Sequence, residues 1–494
     1  MEQWSRDQRY RPIESMPQHE FEALKEKVGL SKYRQRFHIQ PLSGLLNHPN
    51  GLIYTNGQYH IAHQWFPLGA VHGLKYWYYY TSSDLVEYHR EGMLLKPDSA
   101  YDSHGVYSGS AFTYQNNLYV MYTGNHRTKD WDRQSSQIVA KINNGKVEKL
   151  NPPAIPHPPK GYTQNFGFPK VFKRDGKLYA IIGAQRDDLT GCVVLYEAEQ
   201  PESEWRFIGE IETDLENFGS FWESPDFFQL NGKDVLLFCP RALDSEEEQF
   251  QNKYLSGYIT GELDFDTLKF SHGPFQTLDN GFDFYAPQTF EDEVGRRVLI
   301  GWMGLPDTEY PTDNEGWAHC LTLPRTLTIE SGILKQKPHM NLRKLREEKE
   351  TALGYANKFF KQLHPYEGKQ YELVVDILEN EASAIEFQLR ASKNEHTVIR
   401  YNSLTKEISL ERFDSGALPI PVKGTERKAT LETELYQLRI FVDTSSIEIF
   451  CNEGERVLTS RIFPSENANK IRVATDSGQV YLKMSKYNMK NIEL

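Results

Sequence analysis

Glu223 lies between Trp222 and Pro225 in the segment Trp222-Glu223-Ser224-Pro225-Asp226, a setting that argues against an idle glutamate on a solvated loop tip. A carboxyl group held in such a place can attack as a nucleophile or pass a proton in a transition state. Most hydrolytic work needs a second such group, and Asp226 and Asp283 are the carboxylates in neighbouring motifs. Both fit structural roles there. His48, in Asn47-His48-Pro49-Asn50-Gly51, is another reactive candidate. Four histidines, His48, His60, His63 and His72, lie close together in the chain. Their spacing matches no recognised zinc pattern, and two strand residues three apart, such as His60 and His63, point to opposite faces. Neither a metal site nor a cofactor is expected.

Five hairpins must position these residues. Each is an apolar and aromatic strand, a short turn and a second such strand, beginning at Pro49, Ser108, Pro169, Pro225 and Pro287. The starts lie 59, 61, 56 and 62 residues apart. Asn56-Gly57, Asp175-Gly176 and Asn231-Gly232 supply the positive φ that tight hairpins demand. A period near sixty suits a four-stranded blade, and five such units predict one five-bladed β-propeller over residues 33–333. Equivalent positions just before each hairpin then converge on one axis. They include His48, Phe168 and Glu223.

Residues 1–32 read as an N-terminal helical segment. Residues 334–351 are charged and read as a helical linker. Beyond it, residues 352–494 carry short alternating segments such as KQYELVVDIL and YQLRIFVD, which predict a C-terminal β-sandwich and an all-β chain. No titratable cluster stands out in that part, so its expected role is structural or accessory.

The chain has 494 residues, 28 Tyr, 27 Phe and a formal net charge of -12. That charge argues against a nucleic-acid or anionic membrane surface as partner. Cys192, Cys239, Cys320 and Cys451 are scattered without a CxxC pair and are expected to be buried free thiols. The first thirty residues lack the apolar core of a signal peptide, and no stretch approaches a membrane span. A soluble, cytoplasmic protein is expected. Composition gives no oligomeric state.

The segments Phe37-His38-Ile39-Gln40-Pro41, Asn47-His48-Pro49-Asn50-Gly51, Tyr107-Ser108-Gly109-Ser110, Trp222-Glu223-Ser224-Pro225-Asp226 and Gly281-Phe282-Asp283-Phe284-Tyr285-Ala286-Pro287 resemble the motifs of glycoside hydrolase family 32, in the same order. The run from Phe441 to Phe450, with Arg461-Ile462-Phe463-Pro464, is similar to that family's sandwich signature. The resemblance extends from about Tyr33 to the C-terminal region, and is nearest to the bacterial sucrose-6-phosphate hydrolase branch of these β-fructofuranosidases. It implies a small carbohydrate as partner: sucrose, sucrose 6-phosphate or a related fructoside. It also implies retaining hydrolysis by two carboxyl groups typically ~5–5.5 Å apart, with a third gripping fructose hydroxyls.

By that resemblance Glu223 holds the acid/base position. The nucleophile position carries His48 and the stabiliser position Phe168, where the family has aspartates. Gly167 replaces the arginine of the same Arg-Asp-Pro motif. Imidazole would place positive charge where a positive sugar must be stabilised, and a phenyl ring accepts no hydroxyl hydrogen bond. Tyr78 replaces a family glycine, so either the pocket is partly closed or that strand packs differently. Ser224, where the family often has cysteine, could alter how Glu223 titrates. Asn47, Gln64, Tyr107, Ser108, Tyr285 and Trp302 match or nearly match sugar-lining positions. Three readings follow: hydrolysis through unusual residues, a silent sugar- or partner-binding propeller, or inverting hydrolysis by Glu223 with Asp226 or Asp283 as base ~6.5–9.5 Å away.

Overall fold

The structure is a computed structural model that describes residues 4–143, 145–243, 250–358, 366–422 and 424–492. Five antiparallel sheets are built around the five hairpins. The first joins Gly44–Thr55, Gln58–Phe66, Tyr76–Ser82 and His89–Leu95; the second Val106–Tyr114, Asn117–Arg127, Arg133–Asn143 and Lys146–Lys149. The third joins Tyr162–Arg174, Lys177–Arg186, Gly191–Ala198 and Arg206–Glu210; the fourth Phe221–Leu230, Lys233–Arg241, Gly257–Leu263 and Phe270–His272. The fifth joins Tyr285–Glu291, Arg297–Met303, Arg325–Glu330 and Ile333–Pro338. These are the blades of a five-bladed propeller. The turns follow from the sequence: Asn56 and Gly57 sit at φ 51° and 77°, Asp175 and Gly176 at 49° and 81°, Asn231 and Gly232 at 51° and 74°.

The ring closes through the short strand Trp317–Ala318, which pairs in parallel with Gly44 and Leu45 at the start of the first blade. Gly44 is required there. Its φ is +65°, and a Cβ would lie 2.0 Å from the Phe66 carbonyl oxygen.

The stretch from Leu334 is not the helical linker that its charge suggested. Leu334, Gln336 and Pro338 are buried on alternate positions of the fifth blade's last strand, with Lys335 and Lys337 less buried between them. A 3₁₀ turn, Met340–Leu345, follows. Arg346–Ala356 is then a largely exposed strand at the edge of the next sheet. The charges that resembled a solvated helix face are the charges that guard a strand edge.

The C-terminal part is a sandwich of a six-stranded and a five-stranded sheet. Inward residues such as Leu373, Phe387, Ile399, Ile440, Ile449 and Leu482 form its core. Each such side chain contributes roughly 1.5–3 kcal/mol by leaving water. In the N-terminal segment, Arg6–Arg9 and Gln18–Gly29 are helices. Leu24 and Val28 pack with Trp317 and Phe463. All four cysteines are buried free thiols. Among the described residues no helix is long and apolar enough to cross a membrane.

The sandwich does hold titratable groups in a cluster, contrary to the sequence expectation, and they face the propeller. His38 donates or accepts between Asp443 Oδ2 at 2.7 Å and Glu448 Oε1 at 3.1 Å. Arg325 bonds Asp279 and Glu448, and Asp279 accepts from Thr459. Burial opposes the charge on His38, yet the bonds to Asp443 and Glu448 outweigh it and raise the imidazole to about 9. These carboxylates fasten the two domains together.

Candidate functional site

The innermost strand of every blade carries a one-residue bulge at the same height. Residues 47–48 oppose Gln64, 107–108 oppose Thr123, 168–169 oppose Ile182, 224–225 oppose Phe238 and 286–287 oppose Gly301. Three of the five contain proline, which cannot donate to a ladder and so is confined to edge strands and bulges. Phe168, Ser224 and Ala286, each preceding a proline, take φ of 63°, 50° and 46°. A bulge re-aims side chains, and here all five point their irregularity at one axis.

The sequence-selected residues meet there. The rings of His48 and Phe168 lie 5.8 Å apart, His48 and Trp302 5.4 Å, and His48 and Tyr285 6.1 Å. Ser108 Oγ is 2.7 Å from His48 Nδ1. The Phe168 amide donates to Thr123 Oγ1 at 2.8 Å, which holds the strained residue in place. Asn47 Nδ2 donates to Gln64 Oε1 at 2.6 Å. Ser108, expected to face a sugar, is thus engaged by His48, and Tyr285 by Glu223.

Glu223, 2 % exposed, is bound on both oxygens. Arg241 Nε donates to Oε2 at 2.6 Å and Nη2 to Oε1 at 2.7 Å, while the Tyr285 hydroxyl donates to Oε2 at 2.7 Å. Burial works to raise this carboxyl, but the Arg241 charge and these bonds prevail and hold it below the usual range. Ser224, expected to tune Glu223, has no partner for its hydroxyl among the described residues. The tuning group is Arg241, which no motif had marked.

Neither aspartate offers Glu223 a partner. Asp226 Oδ2 accepts from the Thr289 amide at 2.6 Å and lies 3.2 Å from Lys170 Nζ. Asp283 accepts from the Tyr310 hydroxyl at 2.6 Å and the Arg461 amide at 2.8 Å, and pairs with Arg412. Burial lowers His48 to about 4, with Arg241 and Lys75 acting against Glu223, so its ring is neutral at pH 7.

Tyr78 takes the second of its two expected courses. It packs inside the first blade against Trp65, Tyr80 and His63, at ring separations of 5.1, 5.4 and 5.9 Å. His60 stacks on Tyr79, apart from His63. His72 meets Trp302 edge-on at 6.2 Å. Lys75 is buried, its Nζ has no hydrogen-bond partner among the described residues, and burial lowers it to about 7. Trp302 Nε1, His72 Nε2 and Asn47 Oδ1 are likewise unpartnered.

A five-bladed propeller with its polar groups gathered at one end of the axis, backed by a sandwich, defines the class, and the chain belongs to glycosyl hydrolases family 32: the family's N-terminal domain matches residues 38–338 and its C-terminal domain residues 340–491. Within the family, the chain is 57% identical over 491 residues to a sucrose-6-phosphate hydrolase of Staphylococcus xylosus, covering 99% of each. A sucrose-6-phosphate hydrolase of Bacillus subtilis is 39% identical, over 89% of this chain and 91% of the relative. The solved sucrose-6-phosphate hydrolase of Lactobacillus gasseri superposes with a TM-score of 0.93 at 34% identity, covering 99% of this chain and 100% of that one. A Bombyx mori β-fructofuranosidase mutant in complex with sucrose gives 0.81 at 26% identity, over 97% and 100%.

Proposed function

We propose that this family 32 protein binds a sucrose-type fructoside at its axial site and hydrolyses it extremely slowly or not at all. The observation that carries the reading is the two-armed bond of Arg241 to Glu223. A general acid must be protonated to serve the leaving oxygen, and Arg241 favours the ionised form. The positions for nucleophile and stabiliser hold a neutral imidazole and a phenyl ring, so among the described residues charge developing on the sugar meets no anion beyond Glu223. Losing one member of a concerted set typically removes ~10⁴–10⁶ in rate. Asn47, Gln64, Tyr107 and Trp302 remain as sugar-facing groups, and the orphaned atoms of Asn47 and Trp302 support a polar ligand. No cofactor or metal enters this reading, and a cytoplasmic setting accords with it.

The competing reading is hydrolysis as in the Staphylococcus xylosus relative's name, and the 57% identity favours it. One experiment separates them. The purified chain is incubated with sucrose and with sucrose 6-phosphate, and released glucose or glucose 6-phosphate is followed beside calorimetric binding of each sugar. Binding without release supports the proposal. Release at more than ~1 s⁻¹, an ordinary enzymatic rate, abolished by Glu223→Gln, overturns it.

A further inference from the structure

The propeller axis has a second mouth, at the end where the hairpins turn. All five blades line a cavity of about 650 Å³ there, with Leu52, Ala111, Val171, Phe228 and Phe290 contributed by one blade each. Two polar contacts between blades that are not neighbours close it off from the site of His48 and Glu223. Lys170 of the third blade donates through Nζ to the Thr289 carbonyl of the fifth and lies 3.2 Å from Asp226 Oδ2 of the fourth. Gln288 Nε2 of the fifth blade donates to the Gly109 carbonyl of the second at 3.1 Å. A bond between such blades has to cross the axis, so these side chains make a floor between the two mouths.

The cavity is not finished as a protein interior is. Thr289 and Arg297 line it, and the buried atoms Thr289 Oγ1 and Arg297 Nε have no hydrogen-bond partner among the described residues. Thr289 is fully buried. The Arg297 guanidinium stands 4.8 Å over the Phe228 ring, and its acidic partner Glu291, bonded at 2.9 Å, is 61% exposed. Burial lowers the Arg297 pKa more than Asp226 and Glu291 restore it. Lys170, Lys173, Arg174 and Arg297 line the cavity against Asp175 and Glu291, with Asp226 behind Lys170. That leaves one positive charge in surplus, in a chain of net charge -12.

Two open donors in an apolar-walled cavity with one uncompensated positive charge ask for a monoanion with two acceptor oxygens and an apolar body. We propose that this cavity is a second binding site, separate from the axial one, for a carboxylate with an apolar body. The carboxylate accepts from the Thr289 hydroxyl and from Arg297 Nε, and the hydrocarbon lies along Leu52, Val171 and Phe290. The site is independent of the sugar-binding reading above.

Dissociation constants are measured by ligand-observed NMR titration of the full chain with octanoate, acetate and 1-octanol. Octanoate is expected to bind at least ~10-fold more tightly than acetate, which has almost no hydrocarbon to bury. It is expected to bind at least ~10-fold more tightly than 1-octanol, which carries no charge. Arg297→Gln should weaken octanoate at least ~10-fold. Thr289→Val, which keeps the side-chain shape and the backbone bonds of that residue, should weaken it about fivefold, so the test stands even if the arginine variant folds poorly. His48→Ala, across the floor, should bind octanoate as wild type does; a loss there would place the anion in the axial site and overturn the proposal. No binding of octanoate by wild type at ~10 mM, equal binding of 1-octanol, or binding that survives both cavity variants also overturns it.

Discussion

The axial site and the seam between propeller and sandwich are both buried and both rich in charge, but they are finished differently. In the seam, His38 lies between Asp443 and Glu448, and Arg325 between Asp279 and Glu448. Asp443 also accepts from the amides of Arg36 and Phe37. Each group is answered from more than one side. At the axis, Lys75, His72, Trp302 and Asn47 keep open polar atoms among the described residues, where a single carboxylate, Glu223, answers one arginine. A saturated network fixes a structure, whereas a buried unsatisfied one is costly unless a ligand completes it. The titratable groups of the seam therefore speak of assembly, and those of the axis of binding.

The largest effect that could break this contrast is catalytic. Turnover of sucrose should lie at least ~10⁴-fold below that of a carboxylate-complete relative. Installing His48→Asp and Phe168→Asp should restore little while Arg241 holds Glu223; adding Arg241→Gln should restore more than the three changes separately. Initial rates of glucose release decide it, and full recovery with Arg241 intact would remove the clamp from the explanation. Gly167→Arg is the harder part of any restoration, because a Cβ there would lie 2.5 Å from Thr123 Oγ1, the acceptor of the Phe168 amide.

A stability comparison comes next. Arg325→Met should cost about 3–5 kcal/mol in urea unfolding, since it removes the buried guanidinium that pairs with both Asp279 and Glu448. Arg241→Gln should cost less, because that side chain is 39% exposed and Glu223 keeps the bond from the Tyr285 hydroxyl. Equal losses would mean that the axis is as structural as the seam.

Two pH experiments sharpen the contrast further. Lys75 falls from 10.5 to about 7 on folding, so between those values the unfolded chain binds more protons and stability rises with pH. Lys75→Met should therefore stabilise the ligand-free protein by several kcal/mol at pH 7, and the gap should close towards pH 10. His38 does the reverse. Its folded value of about 9 gives stability that is complete below pH 6.5 and disappears as pH rises through 9, about 3 kcal/mol in all. His38→Gln should abolish that decline. Chemical denaturation from pH 6 to 10 on both variants separates the opposing slopes, which partly cancel in the wild type.

Much of the propeller could be read from the chain because local chemistry and global fold agree. Asn-Gly and Asp-Gly turns set the hairpins, and their regular spacing set the blades. The convergence of His48, Phe168 and Glu223 followed from the repeat. Arg241 did not, for a reason of register. Counted back from the Asn231-Gly232 turn, Glu223 would oppose Pro240; the bulge moves it opposite Cys239, so that Arg241 becomes its diagonal neighbour on the same face. The prolines after Phe168, Ser224 and Ala286 were the available sign of that shift. The linker was misread because charge alone does not separate a helix face from a guarded edge strand.

The strand at Trp317 and Ala318 has a consequence for how the chain is made. During synthesis Gly44 and Leu45 emerge early, but the residues that cover that edge of the first blade leave the ribosome only after most of the propeller. The nascent chain therefore carries an unpaired inner edge through most of translation, the state in which strands find wrong partners. The late-arriving pair works as a seal, and the ring can close only once residues near both ends of the propeller have emerged.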